Sequence, residues 1–213
     1  QRTAPMDPKP HIPLLDLALC FLPVFAVLAI YRLWQLELRS AVIAVIRMLV
    51  QLLLIGYVLT FIFETDHSLV VMGVLLVMVL ASSWIGLRTV RSNRLHLYAK
   101  ALVSIAAGGG VTLILITQVV LELDPWYWPR YFIPIAGMIF AQAMTSISLA
   151  AERYQSERAQ KANHDRARVV ALRTALIPIT NSLLAVGLVS LPGMMTGQIL
   201  SGVSPLIAVR YQI

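Results

Sequence analysis

The sequence predicts an all-α, polytopic integral membrane protein with about six transmembrane helices and its N-terminus outside, and three observations carry that prediction. Hydrophobic residues make up 59% of the chain and charged residues 13%, against roughly half and a quarter in soluble domains. Apolar runs of about 20 residues, enough to cross ~30 Å of hydrocarbon, recur along the chain. Charges collect between these runs, and their sign alternates from one connection to the next. Residues 1–213 read as a single transmembrane domain, multi-pass in a plasma membrane.

Gln1 to Pro13 is polar and proline-rich. No small-residue cleavage pattern closes the apolar run that follows, so that run reads as a membrane helix rather than a signal peptide. It extends from Leu14 to near Trp34, with a kink expected at Pro23. The second helix spans about Ala41 to Phe63, the third Ser68 to Leu87 and the fourth Ala101 to Leu121. A fifth covers Tyr131 to Ala151, broken early by Pro134. The sixth begins near Ala175 and contains the run from Gly187 to Gly202, with Pro192, Gly193 and Gly197 inside it. Proline removes a helix hydrogen bond and glycine lets backbones approach. The freed groups must be satisfied away from lipid, so this broken helix is expected to face the protein interior, as packing element or as substrate path.

Orientation follows from the connections. Arg32 and Arg39 follow the first helix; Arg88, Arg91, Arg94 and Lys100 follow the third; Arg153, Arg158, Lys161, Arg166, Arg168 and Arg173 follow the fifth. The alternate connections hold Glu64 and Asp66, then Glu122 and Asp124, beside a belt of Trp126, Tyr127 and Trp128. Basic loops face the cytoplasm. The net charge of +7 is thus a matter of topology, and nucleic acid is not an expected partner.

Glu152 to Arg173 differs from the other connections in being long, nearly free of Gly and Pro, and rich in Ala, Gln and Arg. Glu157 and Lys161 stand at the helix-supporting i,i+4 spacing. It reads as a charged cytoplasmic helix, either a linker attracted to anionic headgroups or a coupling helix through which Glu152, Arg153, Glu157, Arg158, Lys161 and Arg166 meet a soluble partner.

Within the membrane, Arg47 and Gln51 share one face of the second helix, and Arg47 is about 12 Å along it from Arg39. Without an acid at matching depth, snorkelling suits Arg47 better than substrate contact. Gln142, Thr145 and Asn181, with Ser146, Ser148 and Ser182, line a polar path or bond helix to helix. Met194 and Met195 offer thioethers suited to soft metals, or fill the core. Asp16, Glu64 and Asp66, with Glu122 and Asp124, would give an acidic outer mouth or are solvated loop acids. No Cys-x-x-Cys or His-Glu-x-x-His spacing marks a metal site, and Cys20 is the single cysteine. No Gly-x-x-x-x-Gly-Lys-Ser/Thr pattern occurs; Gly108 to Gly110 has no lysine after it and reads as close helix packing. His11, His67, His96 and His164 fall at helix ends or in loops, which argues against an intramembrane hydrolase.

Three stretches carry a family resemblance: Arg47 to Val58, Ile133 to Ile139, and Leu176 to Ser182 followed by the Leu-Pro-Gly-Met-Met run up to Gly197. They resemble the small ABC-transporter permease family that contains a bacterial iron-export permease and plant aluminium-tolerance half-transporters. The resemblance covers most of the chain from the second helix onward. It implies a permease subunit exporting a metal ion, iron, that binds no cofactor itself. ATP and magnesium would sit on a separate cytoplasmic ATPase, with two copies of each subunit in a bacterial inner membrane. A nucleotide sugar is the rival cargo within the same machine, and a channel or scaffold without an ATPase the rival outside it. The sequence departs from the family in two places. The acidic helix with an Ala-Leu-Gly-Ala-like docking turn does not occur between Gln155 and Ala162, and a seventh helix is expected beyond Ile213.

Overall fold

The computed structural model describes residues 13–64, 67–90 and 94–211, with only the backbone of residues 14–16. Its elements are α1 (Leu14–Leu19), α2 (Leu22–Leu33), α3 (Leu38–Phe63), α4 (Ser68–Gly86), α5 (Arg94–Val120), α6 (Pro129–Ala159), α7 (His164–Ala185), α8 (Gly193–Leu200) and α9 (Pro205–Arg210). No strand occurs among the described residues, beyond one isolated bridge from Val186 to Ser190. Helices α3 to α7 are each long and apolar enough to cross a membrane, and Leu17–Leu33 is a shorter apolar segment.

The described residues divide into two compact units, one of residues 13–61 with 197–211, the other of those between 62 and 196. In the first, the expected single kinked helix is two. Cys20 and Phe21 separate α1 from α2, and Pro23 lies in the first turn of α2, where a proline gives up no hydrogen bond. The residues of α3 from Leu38 to Phe61 bury none of their side chains fully.

The second unit is a helical bundle arranged around α6, which packs along α7 and α4 and touches α5. Its inner face is Phe132, Ile133, Ile135, Ala136 and Phe140, all buried. The expected break at Pro134 does not occur, because α6 runs unbroken from Pro129 to Ala159. A proline this near a helix start costs one intrahelical bond, and the buried side chains on either side of it hold the turn. Close approaches explain two glycines. A Cβ on Gly109 would lie 2.8 Å from Cε1 of Phe140, and one on Gly86 3.2 Å from the Met144 carbonyl oxygen. Packing, as expected of the Gly108 to Gly110 run, is thus the role of Gly109, while Gly108 and Gly110 face open space. Around it α5 takes two π-helical stretches, Ile105–Gly109 and Leu115–Val120. Buried Ser83 and Thr117 donate to carbonyls four residues back in their own helices, at 2.7 and 2.8 Å, so neither polar group is stranded.

Two further expectations are corrected. The sixth helix does not continue through Gly187 to Gly202: α7 stops at Ala185, and α8 starts at Gly193. Between them the chain reverses at Gly187, whose φ of +80° an L side chain rarely adopts. The backbone N–H groups of Val189 and Ser190 donate to the Ala185 carbonyl, and that of Gly187 to Ser190. The loop satisfies itself, so it needs no buried partner, and Leu188 and Val189 stand 90% and 84% exposed. Pro192 precedes α8 rather than kinking a helix.

Glu152 to Arg173, in turn, is not one helix but a hairpin. The end of α6 and the start of α7 are joined by a turn at residues 160–163. Ala162 N–H donates to the Glu157 carbonyl at 3.1 Å and Lys161 N–H to that of Arg158 at 3.1 Å, with Lys161 at φ +62°. This is a Schellman ending with lysine where glycine usually stands.

Candidate functional site

At one end of the second unit, three helices change from apolar to charged at the same level. Helix α5 opens with Arg94, His96 and Lys100 before its apolar run; α6 turns charged after Ala151; α7 is charged up to Arg173. Chain order alone puts these ends together, since α6 and α7 form a hairpin and α5 runs antiparallel to α6. Beneath them lies a core of Leu87, Val90 and Ala101, packed by Leu97, Tyr98, Ile147 and Ala151. Beside that core opens a groove of about 1370 Å³, lined by the ends of α5, α6 and α7.

The hairpin is tied by polar contacts. Arg153 pairs with Glu157 at 2.7 Å, and Glu157 is buried to 8% exposure, so the guanidinium compensates a carboxylate largely removed from water. The Arg158 guanidinium donates to the Ala162 carbonyl at 2.9 Å, closing the turn. Tyr154 Oη and His164 Nδ1 are 2.8 Å apart, joining α6 to α7. Across the unit, Arg94 donates to the Trp84 carbonyl at 2.8 Å and lies 3.9 Å from that ring's centre, while Tyr98 meets the same ring edge-on.

Of the residues expected to couple to a partner, Glu152 and Arg158 line the groove, Arg153 and Glu157 pair beside it, and Lys161 and Arg166 are exposed at the turn and on α7. The groove also brings in His96, Lys100, Asp165 and Arg168, which sequence reasoning did not assign to a site. The signal was present as two polar pairs, His96 with Lys100 and Asp165 with Arg168, each one turn apart and directly before an apolar run.

The residues proposed for a translocation path fall in both units. Arg47 and Gln51 are exposed on α3 in the first unit. In the second, Gln142, Thr145 and Asn181 are exposed, and Thr145 donates to the Ala141 carbonyl of its own helix at 3.0 Å rather than across helices. Pro192 and Gly193 lead into α8, where Met194 and Met195 are half-buried. The hydroxyl of Thr196 returns to the Pro192 carbonyl at 3.0 Å and fastens that first turn. Glu64 is exposed after α3; Asp66 lies outside the described residues, as does the side chain of Asp16. Among the described residues no group of three from His, Cys, Asp and Glu is placed to hold a metal ion.

A bundle of long apolar helices with a charged hairpin at one end defines a polytopic helical membrane protein. The chain belongs to UPF0014, an uncharacterised protein family, whose model matches residues 14–170 and 158–213. The two matches overlap within the α6–α7 hairpin. The chain is 33% identical to a UPF0014 membrane protein of Synechocystis, over 84% of this chain and 82% of that protein. It is 34% identical to the "Probable iron export permease protein FetB" of Escherichia coli, over 93% and 81%. It is also 35% identical to "Protein ALUMINUM SENSITIVE 3" of Arabidopsis thaliana, over 80% and 66%. No solved structure matches. The resemblance carried by Arg47 to Val58, Ile133 to Ile139 and Leu176 to Gly197 therefore holds.

Proposed function

We propose that this chain is the membrane permease subunit of an ABC transporter that exports iron across the bacterial inner membrane, powered by a separate cytoplasmic ATPase that binds ATP and magnesium. The observation that carries this reading is the identity to the Escherichia coli protein named as an iron export permease, which extends over 93% of the chain. The basic ends of α5, α6 and α7 argue for a cytoplasmic hairpin and an external N-terminus. In this reading two permeases and two ATPases make the transporter, and the hairpin bearing Glu152, Arg153, Arg158, Lys161 and Arg166 carries motion from the ATPase into the bundle. The break that ends at Pro192, between α7 and α8, is the flexible element, with Asn181 before it on α7 and Met194 and Met195 after it on α8.

The test is reconstitution of the permease with its cognate ATPase in liposomes, reading ATP hydrolysis and radiolabelled iron together. Iron is expected to stimulate hydrolysis and to cross only when ATP is present on the ATPase side. Hydrolysis that ignores iron but answers to a nucleotide sugar would keep the permease and overturn the cargo.

A further inference from the structure

We propose that the groove between the charged ends of α5, α6 and α7 is a binding site for an anionic phospholipid, with acyl chains along Ile147, Ala150 and Leu172 and the phosphodiester toward Lys100 and Arg168. Size is the first argument. At about 1370 Å³ the groove exceeds the roughly 300–1,000 Å³ of ordinary small-molecule pockets and is far larger than any ion.

Polarity along the helix axes is the second. Ala101 and Ser104 on α5, Ile147 and Ala150 on α6, and Leu172 on α7 line the deeper part, while His96, Lys100, Gln155, Arg158 and Arg168 stand toward the charged end. An amphiphile lying with its tails in the bilayer and its headgroup at the boundary meets the same sequence of surfaces. Basic pockets between membrane helices on the cytoplasmic side suit acidic headgroups.

Charge decides which headgroup. Lys100 and Arg168 make no hydrogen bond or ion pair with any described residue, whereas Arg158 is partly committed to the Ala162 carbonyl. Glu152 and Asp165 share the lining, so three cations face two acids, with His96 besides. That balance fits the single negative charge of a phosphodiester and disfavours a polyphosphate. Trp84 and Tyr98, in edge-on contact with ring centres 5.7 Å apart, mark the same level as interfacial.

The test uses the full chain in nanodiscs of palmitoyl-oleoyl phosphatidylglycerol mixed equally with palmitoyl-oleoyl phosphatidylcholine, counting retained lipids by native mass spectrometry. Phosphatidylglycerol should be retained preferentially. The charge variants Lys100→Gln and Arg168→Gln should each weaken retention about fivefold, and Arg39→Gln on the first unit should leave it unchanged. Ala150→Trp fills the apolar part without touching charge and should also abolish the preference, which guards against a purely electrostatic attraction. Equal retention of both lipids, indifference to all three groove substitutions, or full displacement by free glycerol phosphate would each overturn the proposal. So would a Lys100→Gln, Arg168→Gln double variant that keeps its lipid but loses the cognate ATPase. These readouts require no transport, so their failure and that of the iron-export reading are separable.

Discussion

Helices α3 and α6 are both long enough to cross a bilayer, and the more uniformly apolar of the two is the less packed. Between Leu38 and Phe61, α3 buries no side chain, and Leu53 and Tyr57 stand 71% and 82% exposed. Helix α6 carries charge along its last two turns, yet it buries Phe132, Ile133, Ile135, Ala136 and Phe140. In lipid, apolar character does not by itself draw helices together, because the tails are as apolar as leucine. What gathers neighbours around α6 is shape: glycines at Gly86 and Gly109 that let α4 and α5 approach, and side chains that fill the space left. Two glycines repeat the contrast, since Gly187 turns a self-contained loop in the open while Gly109, inside α5, is a packing surface.

The largest expected effect breaks the comparison at its centre. Phe140→Ala removes a ring that is 4% exposed and should cost about 3 kcal/mol, the low end for such truncations because little hydrophobic transfer is lost inside a bilayer and the cavity dominates. Leu53→Ala on α3 should fall within about 0.5 kcal/mol of the parent. Both are read as unfolding midpoints in detergent, and equal losses would mean that α3 is packed as tightly as α6.

A smaller effect sharpens the same point through glycine. Gly109→Val places a branched side chain where even Cβ would sit 2.8 Å from the Phe140 ring, whereas at Gly56 nothing lies within 4 Å. The first should cost about 1–3 kcal/mol by overpacking. Gly56→Val should be neutral or slightly stabilising, since valine's β-branching gives back much of what replacing glycine gains in a helix. If Gly109→Val is harmless in the same melt, α5 does not approach α6 as described.

How legible was all this? The class, the apolar runs of the second to fifth helices and the basic ends were readable because each rests on composition and charge position. Helix ends were not. Glycine at the C-terminal turn is the usual stop signal, but α2, α5 and α6 end on Gln35, Glu122 and Lys161 at positive φ. Each looks like one more polar residue of a continuing helix. That is why Glu152 to Arg173 reads as one helix and folds as two. The prolines misled in the other direction: Pro23 lies in the first turn of α2, where the ring is tolerated, while Pro134 lies inside α6 and costs a hydrogen bond that the packed helix absorbs without breaking. Of the site, Glu152 and Arg158 were found by charge density, while Lys100 and Arg168 join them only through the antiparallel return of α5 and α7.

The smallest effect is a matter of sign, and it decides between the two readings of that hairpin. Lys161 occupies a left-handed conformation at φ +62°, which costs an L side chain about 1 kcal/mol or more relative to glycine. Lys161→Gly should therefore stabilise the protein slightly, by a few tenths to about 1 kcal/mol, because glycine's extra freedom when unfolded offsets part of the gain. In a continuous helix through Arg173 the same substitution would destabilise by about 1 kcal/mol. Lys161→Ala separates the readings again: alanine keeps the Cβ that the left-handed turn disfavours, so it brings no gain at a turn, yet it would strengthen a helix. A midpoint that rises with glycine and not with alanine places the turn at Lys161. The opposite order would join α6 to α7 and remove the fold on which Arg158 reaches the Ala162 carbonyl and Tyr154 meets His164.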